Sequence, residues 1–257
     1  MPTPNFKDKH LQESLFHPTD YVDYNVDYKK FKEKFKGKLP TKYIITYQSY
    51  VERYFIRKYE PKRNKLDTGV NSHSILTYKD IGFIKMAGIG APNIVATVEE
   101  LIALGGREFI NIGTAGGLHK QGVFVCNKAL RDEGTSYHYI KDTKFLYPDK
   151  NLTNLLIKAM KNKEMEFLKG PTWSIDAPYR ETRAEIERYA EQGIMTVEME
   201  ASALFAVCKY RKVKIAAAFV VSDILGKKWT PMFDKSHVRT EQYKLIDAAV
   251  SCFGGNK

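Results

Sequence analysis

Residues 213–221 form a nearly continuous apolar run, Val-Lys-Ile-Ala-Ala-Ala-Phe-Val-Val, and this run constrains the fold more than any other feature of the sequence. Such a strand is typical of a parallel sheet that is covered by helices on both faces. Helical patterns flank the run at 201–210 and 237–252, so strands and helices alternate along the chain. The alternation predicts an α/β fold, a three-layer α/β/α sandwich around a mixed, largely parallel central sheet.

The rest of the chain continues this alternation. We predict strands at 43–46, 74–78, 81–86, 108–112, 122–130, 172–175 and 196–197, and helices at 94–104 and 151–161. The glycine-rich stretch 113–117 is predicted to be a turn. Residues 1–40 are predicted to be a polar arm and a lysine-rich helix at 28–36, both packed on a catalytic domain formed by residues 41–257.

Positive charge is concentrated near the N-terminus. Residues 28–65 contain thirteen Lys or Arg and three Glu, in a chain of net charge +11. A basic segment can bind nucleic acid or attract phosphorylated ligands. It can equally be a solvated helix face, because Phe31 and Phe35 share one side of a helix and lysines occupy the other. We favour the solvated face, so nucleic acid is not expected as a partner.

The chain is expected to be cytoplasmic. The first twenty residues lack the apolar core of a secretory signal, and no apolar run reaches the ~18 residues of a membrane span. Cys126, Cys208 and Cys252 are widely spaced and show no zinc pattern, which favours buried thiols in a reducing compartment. Neither a membrane nor a metal ion is therefore expected as a partner.

Polar residues follow three predicted strands, where ligands of parallel sheets bind. The stretch 113–117 could bring backbone N–H groups and the Thr114 hydroxyl to an anion, or could be a turn without a ligand. Glu198 and Glu200, two residues apart in extended chain, point the same way and could accept hydrogen bonds from sugar hydroxyls. Glu200 could instead stabilise the N-terminus of the next helix.

Asp223 follows the apolar run itself. A buried acid is poorly solvated, which favours its protonated form and would allow it to donate a proton to a leaving group. A turn or helix cap is the competing interpretation. Residues 174–183 form a polar segment. Tyr179 within this segment and Trp173 just before it could stack on a planar base, or could simply pack against other parts of the protein.

Four motifs follow one another along the chain: Ala-Gly-Ile-Gly-Ala-Pro-Asn at 87–93, Phe-Ile-Asn-Ile-Gly-Thr-Ala-Gly-Gly at 109–117, Val-Glu-Met-Glu-Ala-Ser-Ala-Leu at 197–204 and Val-Val-Ser-Asp at 220–223. Together they resemble the nucleoside phosphorylase-I family, which includes uridine phosphorylase, purine nucleoside phosphorylase and related nucleosidases. The resemblance covers residues 41–252, and the motif at 197–204 is its most specific part.

The resemblance implies roles for single residues. Glu200 would bind the 2′ and 3′ hydroxyls of a ribose, and Asp223 would protonate the base, as in purine-cleaving members. The loop 176–183 is similar to the uracil-recognition loop of uridine phosphorylases, with Arg183 at the arginine position. The implied substrate-binding residues are Thr114, Ala115, Gly116, Tyr179, Arg183, Glu198, Met199, Glu200 and, lent to a neighbouring subunit, His17. The implied phosphate-binding residues are Gly113, Thr114 and Arg53.

The sequence departs from the family at the phosphate site. The early Gly-Asp-Pro-x-Arg pattern is replaced by residues 46–53, where Arg53 is the candidate substitute. Asn111 and Ser74 stand where the family has arginines, the natural bidentate ligands of phosphate. Hydrolytic members of the family also lack these arginines.

The activity that the resemblance implies is that of a pentosyltransferase. A nucleoside phosphorylase would convert a purine nucleoside or uridine and phosphate into free base and ribose 1-phosphate, with Glu200 and Asp223 as catalytic residues and without a metal or organic cofactor. Asp223 indicates a purine and Arg183 indicates uracil. The alternatives are a phosphate-independent nucleosidase and a catalytically silent nucleoside- or nucleic-acid-binding protein. A homo-oligomer, dimer or hexamer, is implied because these sites borrow residues from a neighbour.

Overall fold

The computed structural model of the chain describes residues 6, 8–25, 29–30, 33, 39–67 and 72–254. The strands in these ranges are β1 (Lys42–Thr46), β2 (Lys62–Asp67), β3 (Ser72–Tyr78), β4 (Ile81–Lys85), β5 (Glu108–Gly117), β6 (Val123–Asp132), β7 (Phe145–Leu146), β8 (Leu168–Ile175), β9 (Thr196–Glu198), β10 (Lys214–Leu225) and β11 (Trp229–Pro231). The α-helices are α1 (Pro18–Tyr24), α2 (Ser49–Tyr59), α3 (Ala91–Ala103), α4 (Lys150–Lys161), α5 (Arg183–Glu191), α6 (Ala201–Tyr210) and α7 (Ser236–Cys252). Short 3₁₀ turns occur at Lys9–Leu11, Thr135–His138 and Pro178–Arg180.

Parallel pairing dominates the centre of the mixed sheet. β1 lies between β4 and β5 and is parallel to both, and β5 is also parallel to β10. On one side, β4, β3 and β2 continue the sheet with antiparallel pairs. On the other side, β10, β6, β8 and β9 follow in order, and β9 pairs back onto the end of β5. These five strands therefore close into a ring.

Helices cover both faces of the sheet, which confirms the predicted three-layer sandwich. On β1, Tyr43 and Ile45 pack into a core with residues of α3 and α6, whereas Ile44 packs into a second core with residues of α2, α4 and α7. Alternate side chains of a strand point to opposite faces, so burial of all three requires cover on both sides. The apolar sequence of β10 has the same cause.

The largest departure from the predicted elements is at the glycine-rich stretch 113–117. The predicted turn is wrong, because β5 continues through Gly117 and pairs there with β9 and β10. Side-chain and backbone atoms from neighbouring segments occupy the space beside these glycines. A Cβ atom on Gly116 would lie 2.3 Å from Leu225 Cδ1, and one on Gly117 would lie 2.4 Å from the Lys120 carbonyl oxygen. Close packing where the ring of strands closes accounts for the glycines.

Helix α2 and strand β2 were not among the predicted elements. The signal for α2 is the spacing of Val51, Phe55 and Tyr59, which form its buried face at i, i+4 and i+8. Near the N-terminus, α1 packs on α3, with Val22 in the core. Only residues 29, 30 and 33 of the predicted lysine-rich helix are described, and the rest of that prediction lies outside the described residues. None of the helices in the described ranges combines the length and apolar character needed to cross a membrane.

Candidate active site

A cavity of about 730 Å³ opens where β5, β9 and β10 end. Its other walls come from the loop before α5 and from the hairpin that joins β10 to β11. Ligands of α/β sheets bind at this edge, beyond the carboxyl ends of the parallel strands. The predicted site residues that line the cavity are Thr114, Ala115, Gly116, Tyr179, Arg183, Glu198, Met199, Glu200 and Asp223.

Glu198 caps the segment that leads into α6. Its carboxylate accepts hydrogen bonds from the backbone N–H groups of Glu200 at 2.8 Å and Ala201 at 2.7 Å, and from Ser174 Oγ at 2.5 Å. A carboxylate at a helix N-terminus satisfies N–H groups that have no partner within the helix. The sequence left open whether Glu200 stabilises this helix, and the structure gives that contact to Glu198.

The Glu200 carboxylate is held by two other backbone N–H groups. Its Oε1 accepts the Gly90 N–H at 2.6 Å and its Oε2 accepts the Met199 N–H at 3.2 Å. The glycine at 90 has a φ of 100°, which orients this N–H at the start of α3 and which other residues adopt only with strain. Glu200 is only 6% exposed, and burial raises its pKa. Burial, together with the charge of Glu200, also raises the pKa of Glu198.

Asp223 lies within β10, which continues to Leu225 beyond the predicted end of the strand. The register of β10 against β5 shifts between Val221 and Asp223, and such a bulge redirects the following side chain. Asp223 Oδ1 accepts a hydrogen bond from Ser222 Oγ at 2.9 Å, and Oδ2 accepts one from Trp229 Nε1 at 2.8 Å. Neither of these partners is a helix N–H, so the cap interpretation gains no support.

Glu181 is a further cavity-lining residue; by the resemblance, it or Thr182 stands near the place of the glutamine in the uracil-recognition loop of uridine phosphorylases. It follows the 3₁₀ turn Pro178–Arg180 and is half-buried. Burial raises its pKa to about 7, and the negative charges of Asp223 and Glu185 add to the shift. The carboxyl groups of Glu181 and Asp223 therefore lie near each other in the cavity wall.

The strand ends of β1 and β5 meet in what we call the neutral corner, formed by Tyr47, Gln48, Asn111, Thr114 and Gln242. Tyr47 OH donates to Asn111 Oδ1 at 2.9 Å, and Gln48 Nε2 donates to Thr114 Oγ1 at 3.2 Å. Gln242 Nε2 donates in turn to Gln48 Oε1 at 3.0 Å. Every group in this network is uncharged. Tyr47 and Gln48 line the cavity and were missed, although they directly follow β1, whose end lies beside that of β5.

The neutral corner takes the position that the resemblance assigns to phosphate. Gly113 lies beneath the Tyr47 ring, which a Cβ atom on that glycine would approach to 3.3 Å. Burial raises the Tyr47 pKa well above its usual range, and the negative charges of Glu200 and Glu198 raise it further. In their charged forms, Glu198 and Glu200 would disfavour a second anion at this corner.

Two predicted residues lie away from the cavity. Arg53 is on the exposed face of α2 and is not among the lining residues, so the structure does not bring it to the phosphate position. His17 precedes α1 as its N-cap and also does not line the cavity. Since its implied role is in a neighbouring subunit, that role stays a prediction. Ser74 lies in β3.

In the part of the chain that the structure describes, no group of three or more His, Cys, Asp or Glu could hold a metal ion. The expectation that phosphate is the co-substrate and that no cofactor takes part stays a prediction.

Comparison with known proteins gives a family match. The sequence pattern of the phosphorylase superfamily matches residues 70–251. Guanosine phosphorylase of Halorubrum lacusprofundi is 30% identical over 138 residues, which make up 52% of this chain and 57% of that protein. Uridine phosphorylase of Haemophilus influenzae is 25% identical over 182 residues, 64% of this chain and 71% of that protein. The similarity thus spans a little over half of the first relative and about 71% of the second.

Solved structures show the same fold. The crystal structure of AMP nucleosidase from Bacteroides thetaiotaomicron superposes with a TM-score of 0.73 at 18% identity, covering 94% of this chain and 100% of that one. Purine nucleoside phosphorylase from Toxoplasma gondii in complex with immucillin-H has a TM-score of 0.73 at 20% identity, covering 84% and 91%. The first of these similarities covers nearly the whole chain.

Proposed function

Because this chain belongs to the phosphorylase superfamily, we propose that its cavity cleaves the N-glycosidic bond of a nucleoside. The observation that carries the proposal is that Glu200 and Asp223, from separate segments, line one cavity beside the glycine-rich end of β5. Cleavage develops positive charge on the ribose ring and negative charge on the departing base. A catalyst therefore needs one group for each charge.

Glu200 acts on the ribose. Two backbone N–H groups, those of Gly90 and Met199, fix its carboxylate, which accepts hydrogen bonds from the 2′ and 3′ hydroxyls. In its charged form it stabilises the oxocarbenium-like sugar, and this interaction strengthens as the bond breaks. Glu198 is a positioning residue, because its own oxygens are engaged by Ser174 and by the backbone before α6.

Asp223 acts on the base. The hydrogen bonds from Ser222 and Trp229 fix both carboxyl oxygens and leave further lone pairs for a ligand. Once protonated, Asp223 donates its proton to a ring nitrogen or carbonyl of the leaving base, which avoids release of a free anion. Tyr179 is 99% exposed at the rim, where its ring is available to cover a bound base.

Water is the nucleophile that the neutral corner favours. Phosphate is at least singly charged, and burying it in the neutral corner, none of whose five residues is cationic, is costly. A water molecule needs only neutral partners. The Thr114 hydroxyl accepts from Gln48, so its own O–H remains able to donate into the cavity. Hydrolysis would release free base and ribose.

Phosphorolysis is the second candidate, and the names of the relatives favour it. Curated relatives include a guanosine phosphorylase and several uridine phosphorylases. In this reaction, phosphate would meet the Thr114 hydroxyl and the backbone of β5, and the products would be base and ribose 1-phosphate. Three cationic side chains line the cavity, Arg183, Lys227 and Lys228.

The test is base release from guanosine, inosine, adenosine and uridine, with and without phosphate, with identification of the sugar product. We expect release at a rate that phosphate does not change, with ribose as the sugar. Release that requires phosphate and yields ribose 1-phosphate would replace hydrolysis by phosphorolysis. No release from any of the four would overturn glycosidic cleavage. A silent binder would then be tested by nucleic-acid binding at ~50 mM salt.

A further inference from the structure

We propose that Glu133, a buried acid outside the cavity, holds the ribose-binding segment in place through the first turn of α6. The inference rests on the proposed function, because it takes Glu200 as the group that binds the ribose hydroxyls. Glu133 directly follows β6 and is not among the residues that line the cavity. It is therefore a positioning residue, which acts on Glu200 through Ser202, Ser174 and Glu198.

The first observation is that Glu133 is buried and that both of its carboxyl oxygens are bonded. The residue is only 4% exposed. Its Oε1 accepts a hydrogen bond from Ser202 Oγ at 2.7 Å, and its Oε2 accepts one from the Ser136 N–H at 2.9 Å. Burial of a carboxylate is costly unless such donors replace the water that is lost. The contact with Glu133 therefore anchors Ser202 to the end of β6.

The second observation is that Ser174 of β8 joins Ser202 to Glu198. The Ser202 N–H donates to Ser174 Oγ at 3.0 Å, and Ser174 Oγ donates to Glu198 Oε1 at 2.5 Å. A serine hydroxyl carries a single proton, and the Ser202 N–H occupies a lone pair of the Ser174 oxygen, so that proton is directed to Glu198. Both serines are fully buried. The position of Glu198 therefore depends on that of Ser202.

The last link in this chain of hydrogen bonds is the one to Glu200. Glu198 Oε2 accepts the backbone N–H groups of Glu200 at 2.8 Å and Ala201 at 2.7 Å. Movement of Glu198 therefore moves the backbone from which the Glu200 side chain extends. A misplacement of about 1 Å can cost about 100-fold in rate. Loss of the anchor at Glu133 should weaken binding of the ribose and leave the part of the cavity beside Asp223 unaffected.

The first test is Ser202→Ala, which removes the hydroxyl that Glu133 holds and keeps the backbone N–H that Ser174 accepts. On the nucleoside that the wild type cleaves fastest, kcat/KM should be about 10-fold lower and KM higher, the effect of losing one hydrogen bond to a charged group. Calorimetric binding of the free base should be unchanged. Thr153→Val is the matched control, because it removes a buried hydroxyl from the first turn of α4, outside the cavity, and should keep the wild-type kcat/KM.

Two variants at position 133 test the acid itself. Glu133→Gln keeps an acceptor for the Ser136 N–H and places its amide N–H₂ against Ser202 Oγ, which can accept, so kcat/KM should stay within about 3-fold of the wild type. Glu133→Ala should lose at least as much as Ser202→Ala. The double variant should lose no more than Glu133→Ala alone, since both changes remove the same contact.

Wild-type kinetics in Ser202→Ala, or equal losses of affinity for the nucleoside and for its free base, would overturn the inference and leave the proposed function standing. If the wild type cleaves none of guanosine, inosine, adenosine and uridine, the proposed function fails, and calorimetry of each nucleoside and its base tests the inference by itself. A nucleoside-to-base affinity ratio that falls in Ser202→Ala would support it, and an unchanged ratio or no nucleoside binding by the wild type would overturn it.

Discussion

The indole N–H of Trp229 donates a 2.8 Å hydrogen bond to Asp223 Oδ2 across the hairpin between β10 and β11. Trp229 is 62% exposed, so its ring adds little to the core. The contact orients the Asp223 carboxyl group at the cavity wall. A change at Trp229 should therefore affect catalysis and leave folding unaffected.

Replacing Trp229 by Phe should lower kcat/KM for nucleoside cleavage about 3- to 10-fold, the effect of losing one hydrogen bond of ordinary strength. The thermal midpoint should stay within about 1 °C, since an exposed ring is exchanged for another. Phe233→Leu is the matched control, because Phe233 lies beside Trp229 at the rim without bonding to Asp223. Equal losses in the two variants would show that rim packing matters and the hydrogen bond does not.

Replacing Tyr47 by Phe should destabilise the folded chain. The Tyr47 hydroxyl is the partner of Asn111 Oδ1, and the Asn111 side chain is fully buried with its Nδ2 already lacking a partner in the described residues. Loss of the last bond leaves the whole amide unsatisfied, which costs about 1–3 kcal/mol. Urea unfolding should show a lower midpoint, while Tyr179→Phe, at an exposed position, should match the wild type. An unchanged midpoint for Tyr47→Phe would mean that water already satisfies Asn111.

The sandwich and part of the cavity could be predicted from the sequence, for physical reasons. Continuous apolar strands require helices on both faces, and polar residues at the ends of parallel strands meet at one edge, which leads to Glu200 and Asp223. Closure of the strands into a ring depends on β9, three residues long, whose pairing with β5 has no local signal. The neutral corner joins residues almost 200 positions apart, such as Gln48 and Gln242, so only the tertiary structure reveals it.

Replacing Gly116 by Ala should lower stability and turnover more than the addition of a methyl group elsewhere on the cavity wall. The added Cβ would lie 2.3 Å from Leu225 Cδ1, 3.0 Å from Val197 Cγ1 and 3.5 Å from Asp223 Oδ2, so the side chains of Leu225 and Val197 must move next to Asp223. Overpacking of this kind costs about 1–3 kcal/mol, and displacement of Asp223 should reduce turnover. Gly226→Ala is the control, since its Cβ would meet only ordinary contacts beyond 3.6 Å. Equal activity and equal unfolding midpoints in the two variants would contradict the close packing.

Stability should fall as the pH rises from about 5 to about 8. Burial raises the pKa of Glu198, Glu200 and Glu181, so in this window the folded chain holds protons that the unfolded chain, with ordinary values near 4.5, has released. The slope of the unfolding free energy with pH is proportional to the number of protons bound by the unfolded state minus the number bound by the folded state. In this window that difference, and so the slope, is negative. Below about pH 4.5 the three carboxyl groups are protonated in both states and cost no stability. Above their raised pKa values the loss of stability is complete.

Urea unfolding at pH 5, 6, 7 and 8 measures this slope. Glu200→Gln removes one of the three titrations and should decline less steeply than the wild type. Glu187→Gln removes an exposed carboxylate and should keep the wild-type slope. If the Glu200→Gln and wild-type curves run parallel, the pKa of Glu200 is not raised in the folded chain.

The most direct measurement is the rate of base release by Asp223→Asn, on whichever of guanosine, inosine, adenosine and uridine the wild type cleaves fastest. Asparagine keeps the volume of the side chain and an acceptor for the Trp229 indole, but it has no carboxyl proton to give. We predict release by the wild type and a rate at least ~100-fold lower in the variant, with an unchanged unfolding midpoint. Equal rates in the two proteins would contradict the assignment of this cavity as a site of nucleoside cleavage.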